Sequence, residues 1–142
     1  MSLTFSGRLP PSRAAREALL AKAAAGECFE TRRAHDALWC LPSLLLLGVQ
    51  KGGTGELQTW LGEHPQVHVH GGEVHFWDQE PAAQCTARRA GQLRLRYARF
   101  LWKRRPLREA DVRGRLLFEK TPAYFDLASP RLVACAVPTA RL

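Results

Sequence analysis

The chain has 142 residues, 46% of them hydrophobic and 24% charged, a balance that suits one folded domain and excludes both a wholly disordered chain and a second core of ordinary size. A formal charge of +8 favours a polyanionic partner, whether sulfated polysaccharide, nucleic acid or anionic membrane, without choosing among them. Cys28, Cys40, Cys85 and Cys135 include no Cys-x-x-Cys pair and accompany no histidines at zinc spacing, so a structural metal site is not expected and the redox compartment stays open.

Taken in chain order, Ser12 to Ala25 is rich in Ala, Leu, Arg and Lys, with Ser12 as N-cap and Gly26 as stop, and predicts a helix that carries no convergent polar group. The longest apolar stretch, Ala37 to Val49, contains Pro42 and falls short of the ~18 to 20 residues that cross a bilayer, and the N-terminus lacks a secretory h-region. Pro42 marks entry to a first strand, whose leucines run into the glycine-rich segment Gly48-Val49-Gln50-Lys51-Gly52-Gly53-Thr54-Gly55-Glu56. Leu57, Trp60 and Leu61 then recur at helical spacing, predicting a helix from about Gly55 to Glu63 that His64-Pro65 closes. Val67 and Val69 alternate with His68 and His70, which predicts a short strand with the histidines on its polar face.

Nine of the 21 basic residues fall between Arg88 and Arg108, a stretch without an acidic residue. Within it Leu93, Tyr97, Phe100 and Leu101 form one apolar helical stripe, and Pro106 ends the helix. The bland account of that helix is a solvated arginine face over a packed stripe; the functional one is a groove wall for a sulfated chain, since guanidinium suits sulfate as it suits phosphate. Arg115 to Glu119 predicts another strand, and Leu132 to Leu142 reads as the approach to a further one. Strands alternating with helices imply an α/β fold, a P-loop-like parallel sheet flanked by helices.

The glycine segment carries the chemistry. A strand that feeds through glycines into a helix lets backbone N–H groups approach an anion without Cβ interference, and the helix N-terminus adds partial positive charge. Lys51 precedes Gly52, Gly53 and Thr54, whereas the usual nucleoside triphosphate loop places lysine after its glycines. This inverted order argues against an ordinary ATPase or GTPase and resembles the 5′-phosphosulfate-binding loop of sulfotransferases. The segments Gly72-Glu73-Val74-His75-Phe76-Trp77-Asp78 and Leu116-Leu117-Phe118-Glu119-Lys120-Thr121-Pro122-Ala123-Tyr124-Phe125 extend the likeness. Together the three resemble the heparan sulfate glucosaminyl 3-O-sulfotransferase branch of that family, over roughly Pro42 to Leu142. The expected organisation is an N-terminal helical leader, residues 1–41, before a partial sulfotransferase domain, residues 42–142.

The resemblance implies 3′-phosphoadenosine 5′-phosphosulfate as co-substrate without a metal, with Lys51, Gly52, Gly53, Thr54 and Gly55 as its cradle. It implies Glu73, Lys51 and Lys120 as catalytic residues, Glu73 being the base, and His75, Asp78 and Lys120 lining the acceptor side. For each there is a plain structural account: a turn glutamate, a packing histidine, a strand-end lysine, a glycine turn of no chemical use. The implied partner is a sulfated or anionic polysaccharide rather than nucleic acid, and the implied compartment is the Golgi lumen. Leu116-Leu117-Phe118-Glu119 also reads as a Walker B strand with Glu119 as metal or water ligand, a reading that the lysine order of the loop disfavours. Gly55 stands where the family commonly has arginine or threonine, and the family's segment for the donor's 3′-phosphate has no counterpart before Leu142. The expectation is therefore a truncated domain with donor-loop chemistry and little turnover by itself; a non-catalytic basic module binding polysaccharide or nucleic acid is the alternative.

Overall fold

The computed structural model describes residues 28–30 and 37–142; the helix expected over Ser12 to Ala25 lies outside them. Its centre is a three-stranded sheet in the order β3 (Leu44–Leu46), β5 (Leu116–Lys120), β4 (Val67–Val69), with both pairs parallel. Leu46 stands opposite Lys120 and Val69 opposite Phe118, so the carboxyl ends of the three strands lie along one edge. Parallel strands need crossovers, and here α1 (Thr54–Gly62) follows β3 while α2 (Ala87–Trp102) and α3 (Glu109–Val112) precede β5. The helix predicted from about Gly55 to Glu63 and the strand predicted from Arg115 to Glu119 are each displaced by one residue from those bounds.

The core forms where the sheet meets α2. Thr86 caps that helix by accepting from the Arg89 amide at 3.2 Å, and Ala90, Leu93, Tyr97, Ala98, Leu101 and Trp102 are buried along one face. Phe100, which the helical stripe includes, is half exposed and meets only the edge of the aromatic group, 5.5 Å from Phe76 between ring centroids. His68 in β4 and His70 just past it are partly buried rather than fully solvated. His68 and His70 pack on Trp102 at 5.6 and 5.3 Å, and His70 Nε2 hydrogen-bonds the Leu101 carbonyl at 3.0 Å, because the C-terminal end of α2 covers that face of the strand. Desolvation lowers the pKa of both rings.

Two features had no sequence signal. β1 (Cys28–Glu30) and β2 (Leu38–Cys40) pair antiparallel, and Leu38, Cys40 and Leu41 are buried in the same core as the sheet. All four cysteines are joined, Cys28 to Cys40 across that strand pair and Cys85 to Cys135 between the start of α2 and the C-terminal helix.

After β5, α4 (Tyr124–Leu127) and α5 (Pro130–Ala136) follow in quick succession. The expected strand approach from Leu132 is thus corrected: Ser129 accepts from the Leu132 amide and Pro130 occupies the first turn, a helix start that the apolar run masks. Extended structure begins at Arg141, which bridges Leu44 in parallel through bonds of 2.8 and 2.9 Å on the free side of β3. Among the described residues no helix is long and apolar enough to cross a membrane.

Candidate active site

The parallel register places three segments side by side at the carboxyl edge of the sheet, the position where open α/β sheets bind ligands. Leu47 to Gly53 leaves β3, Lys120 to Phe125 leaves the neighbouring β5, and His70 to Asp78 leaves β4. Hydrogen bonds join them. The Thr121 amide donates to the Leu46 carbonyl at 3.2 Å and the Phe125 amide to the Leu47 carbonyl at 2.9 Å, which fastens the first two segments together. Gly48 is where they touch: a Cβ there would lie 2.6 Å from Phe125 Cβ and 3.1 Å from the Pro122 carbonyl. Gln58, one turn into α1, donates to the His70 carbonyl at 2.9 Å and so ties the helix behind the glycine loop to the segment that leads to Glu73.

The glycine loop turns into α1 through left-handed backbone. Lys51 and Gly53 both adopt left-handed backbone, φ 62° and 79°, and Gly53 becomes the N-cap of α1 without a side-chain cap. Among the described residues no side chain caps the opening N–H groups of the helix, at the end where the helix dipole is positive. A Cβ at Gly53 or Gly55 would meet nothing within 4 Å, so the approach is open. Lys51 is exposed and makes no ion pair among the described residues. The residues present therefore fit the phosphate end of an anionic co-substrate: uncapped backbone donors, a cation ahead of them and the Thr54 hydroxyl behind.

Beside the cradle lies a continuous chain of charged groups. Lys120 Nζ donates to Glu73 Oε1 at 3.1 Å; Glu73 Oε2 meets His75 Nε2 at 3.1 Å; His75 Nδ1 meets Asp78 Oδ2 at 2.8 Å. Carboxylate oxygens only accept, so a ring engaged on both sides carries a proton on each nitrogen. The hydrogen bond to Asp78, aided by the charges of Asp78 and Glu73, accordingly raises the His75 pKa above the ordinary 6.5. His75 adopts φ 55°, and that left-handed backbone turns its ring back between the two carboxylates. Lys120 and Asp78 are buried while Glu73 and His75 remain nearly half exposed, so Glu73 is held from below by a cation and reachable from above. The second oxygen of Asp78, Oδ1, is buried without a hydrogen-bond partner among the described residues.

The structure thus brings Glu73, His75, Asp78 and Lys120 into one bonded set, with Lys51, Gly52, Gly53, Thr54 and Gly55 in the adjoining loop and not bonded to it. Sequence reasoning missed Gln58 and Tyr124, whose partners lie far away along the chain; the Tyr124 hydroxyl accepts from the Phe76 amide at 3.1 Å. Glu119 is not a ligand position. It is buried beneath the site and bonded to Tyr97 and Thr121, which disposes of the Walker B reading on geometry.

No protein-family model matches the chain. Human heparan sulfate glucosamine 3-O-sulfotransferase 6 is 34% identical to it over 102 residues, 71% of this chain and 25% of the relative. The mouse 3-O-sulfotransferase 3B1 is 34% identical over 85 residues, 60% of this chain and 18% of that protein, and mouse 3-O-sulfotransferase 5 is 32% identical over 92 residues, 64% and 22%. The chain therefore spans about a quarter or less of the length of the curated relatives it matches.

Proposed function

We propose, from the resemblance of this chain to heparan sulfate glucosamine 3-O-sulfotransferases, that it carries the donor loop and acid–base residues of a sulfotransferase, within a partial sulfotransferase domain over residues 42–142. The reaction class is transfer of a sulfuryl group to a hydroxyl of a glycosaminoglycan-like polysaccharide. 3′-Phosphoadenosine 5′-phosphosulfate supplies the activated sulfuryl group, whose bond to the 5′-phosphate breaks as the acceptor oxygen bonds to sulfur. The observation that carries this reading is the exposed Glu73 carboxylate, fixed by Lys120 and His75 beside an open, lysine-led anion cradle.

The residues divide the task. Backbone amides from Gly53 to Gly55 hold the phosphate, and Lys51 balances charge that collects on the leaving oxygen. Glu73 accepts the proton of the attacking hydroxyl, a role that requires a carboxylate within hydrogen-bond reach of the acceptor. Lys120 and protonated His75 fix the orientation of that carboxylate, and Asp78 fixes the ring. Lysines provide the neutralisation, so no metal is invoked for the step, in parallel with charge clamping in phosphoryl transfer. Both cystines suit an oxidising compartment such as the Golgi lumen, where glycosaminoglycan acceptors are assembled.

Titration calorimetry with 3′-phosphoadenosine 5′-phosphate tests the donor assignment. Wild type binds and Lys51→Ala weakens binding by about tenfold or more, the loss of one charge-assisted contact; equal affinity for the two would overturn it.

A further inference from the structure

We propose that the buried triad Tyr97–Glu119–Thr121 is a positioning device that sets the backbone of residues 73–76, and through it the Glu73–His75 pair; this rests on the reading of Glu73 given above. Glu119 has no role in the proposed transfer, yet a glutamate 1% exposed is an expensive thing to keep inside a small α/β domain. Its surroundings account for it. Tyr97 Oη donates to Glu119 Oε2 at 2.6 Å and Thr121 Oγ1 donates to Oε1 at 2.5 Å. With its proton directed at Glu119, the Thr121 oxygen has its lone pairs free for other donors. They receive the Val74 amide at 2.8 Å and, more weakly, the His75 amide at 3.5 Å.

The route is therefore short and fully hydrogen-bonded: α2 holds Tyr97, Tyr97 and Thr121 hold Glu119, and Thr121 holds the amides on either side of the bend that presents Glu73 and His75. Thr121 and Tyr97 are buried completely and Tyr124 nearly so; the Tyr124 hydroxyl takes the Phe76 amide on the same bend. Two side chains from the β5–α4 turn thus accept three consecutive amides, Val74, His75 and Phe76, of a segment 46 to 48 residues away. The bend contains a left-handed non-glycine residue, His75, and a conformation of that kind persists only where surrounding contacts determine it. Lys120, which binds Glu73 directly, is the residue between Glu119 and Thr121, so the same strand end sets both the backbone and the carboxylate of the base. The charged groups that act on Glu119 are those of this site, Asp78 and His75, together with the Tyr97 and Tyr124 phenols.

Amide hydrogen exchange on the whole 142-residue chain reads the device without any sulfuryl transfer, so its outcome is separable from that of the functional reading. Thr121→Val keeps the shape of the side chain and removes its oxygen. The expected result is exchange faster by ~tenfold or more at Val74, with the strand amides of Leu45 and Phe118 unchanged, and a fall of the His75 titration toward 6.5 as the ring leaves its carboxylates. Thr121→Ser, which returns the hydroxyl, restores both signals. Glu119→Gln, compared with wild type above pH 7 where Glu119 is a carboxylate, decides the matter should Thr121→Val fail to fold: a neutral amide has one oxygen for two hydroxyl donors, and Val74 again loses protection. Unchanged exchange at Val74 and an unchanged His75 titration in the folded variant overturn the proposal, as does a uniform rise in exchange at every amide.

Discussion

Glu119 gives the fold a pH dependence opposite in sign to that of a salt-bridged carboxylate. Burial raises its pKa from 4.5 to about 7, against the opposing pull of its hydrogen bonds from Thr121 and Tyr97. Between those values the folded chain holds a proton that the unfolded chain has released, so stability falls as pH rises from about 4.5 to 7, by on the order of 3 kcal/mol in total. His75 acts in the same direction at higher pH. Its folded pKa is raised, so its contribution is complete below 6.5 and is lost as pH rises through the folded value, whereas desolvated His68 and His70 oppose it below 6.5. Urea unfolding of wild type and Glu119→Gln across pH 4.5 to 7 isolates the first effect: the difference between the curves shrinks with pH in favour of the variant, and parallel curves contradict it. For the base the expected change is in stability and in chemistry. Glu73→Gln removes the countercharge of the buried Lys120 ammonium, so it costs about 1–3 kcal/mol in unfolding, and it lowers sulfuryl transfer by about 10²–10⁴, read with a labelled donor.

At the scale of elements, the join between the glycine loop and the β5–α4 turn depends on one missing methyl group. Gly48→Ala places a Cβ 2.6 Å from the Cβ of Phe125, an atom fixed to the backbone, so one of the two segments must move. A loss of roughly 1–3 kcal/mol is expected, with donor binding weakened because Lys51 moves with the loop; thermal unfolding and calorimetry measure both. The cystine between Cys85 and Cys135 acts on a longer span. It closes 50 residues, so replacing the pair with alanine costs about 2–4 kcal/mol in chemical denaturation. These joins also show what the sequence could and could not disclose. The helix after the loop was legible because Leu57, Trp60 and Leu61 share one face, and β5 because its apolar run leads into the Lys120-Thr121-Pro122 turn. The β1–β2 pair was not, since neither Cys28-Phe29-Glu30 nor Leu38-Trp39-Cys40 alternates apolar with polar residues as Val67 to His70 does. Leu132 to Ala136 read as extended for the reverse reason: a short apolar run fits either state, and only Ser129-Pro130 before it marks a helix start. The cluster of Glu73, His75, Asp78 and Lys120 came from motif likeness, while Thr121, Tyr124 and Gln58 depend on pairings that only the folded chain reveals.

Across the whole molecule, the fold sorts a basic stretch that looks uniform in sequence. Arg89 donates to the Pro81 carbonyl, Arg94 to the Ala136 carbonyl at 2.9 Å, Arg96 binds Glu80 and Arg99 lies over the Trp39 ring at 5.7 Å, so these four are engaged within the protein. Lys103, Arg104 and Arg105, just past the end of α2, are exposed and make no ion pair among the described residues. Attraction of a +8 chain to a sulfated polysaccharide is long-ranged and screened by salt, and it acts through charges that are free to exchange their counterions. The two sets of residues therefore separate in experiment. Replacing Lys103, Arg104 and Arg105 together with alanine lowers the salt concentration that elutes the chain from immobilised heparin and leaves thermal stability nearly unchanged. Arg94→Ala does the reverse: it strands the Ala136 carbonyl between α2 and α5, costs about 1 kcal/mol in unfolding, and elutes close to wild type. A heparin column on which Arg94→Ala weakens retention as much as the triple variant would show that the helix face, and not the loop beyond it, meets the polyanion.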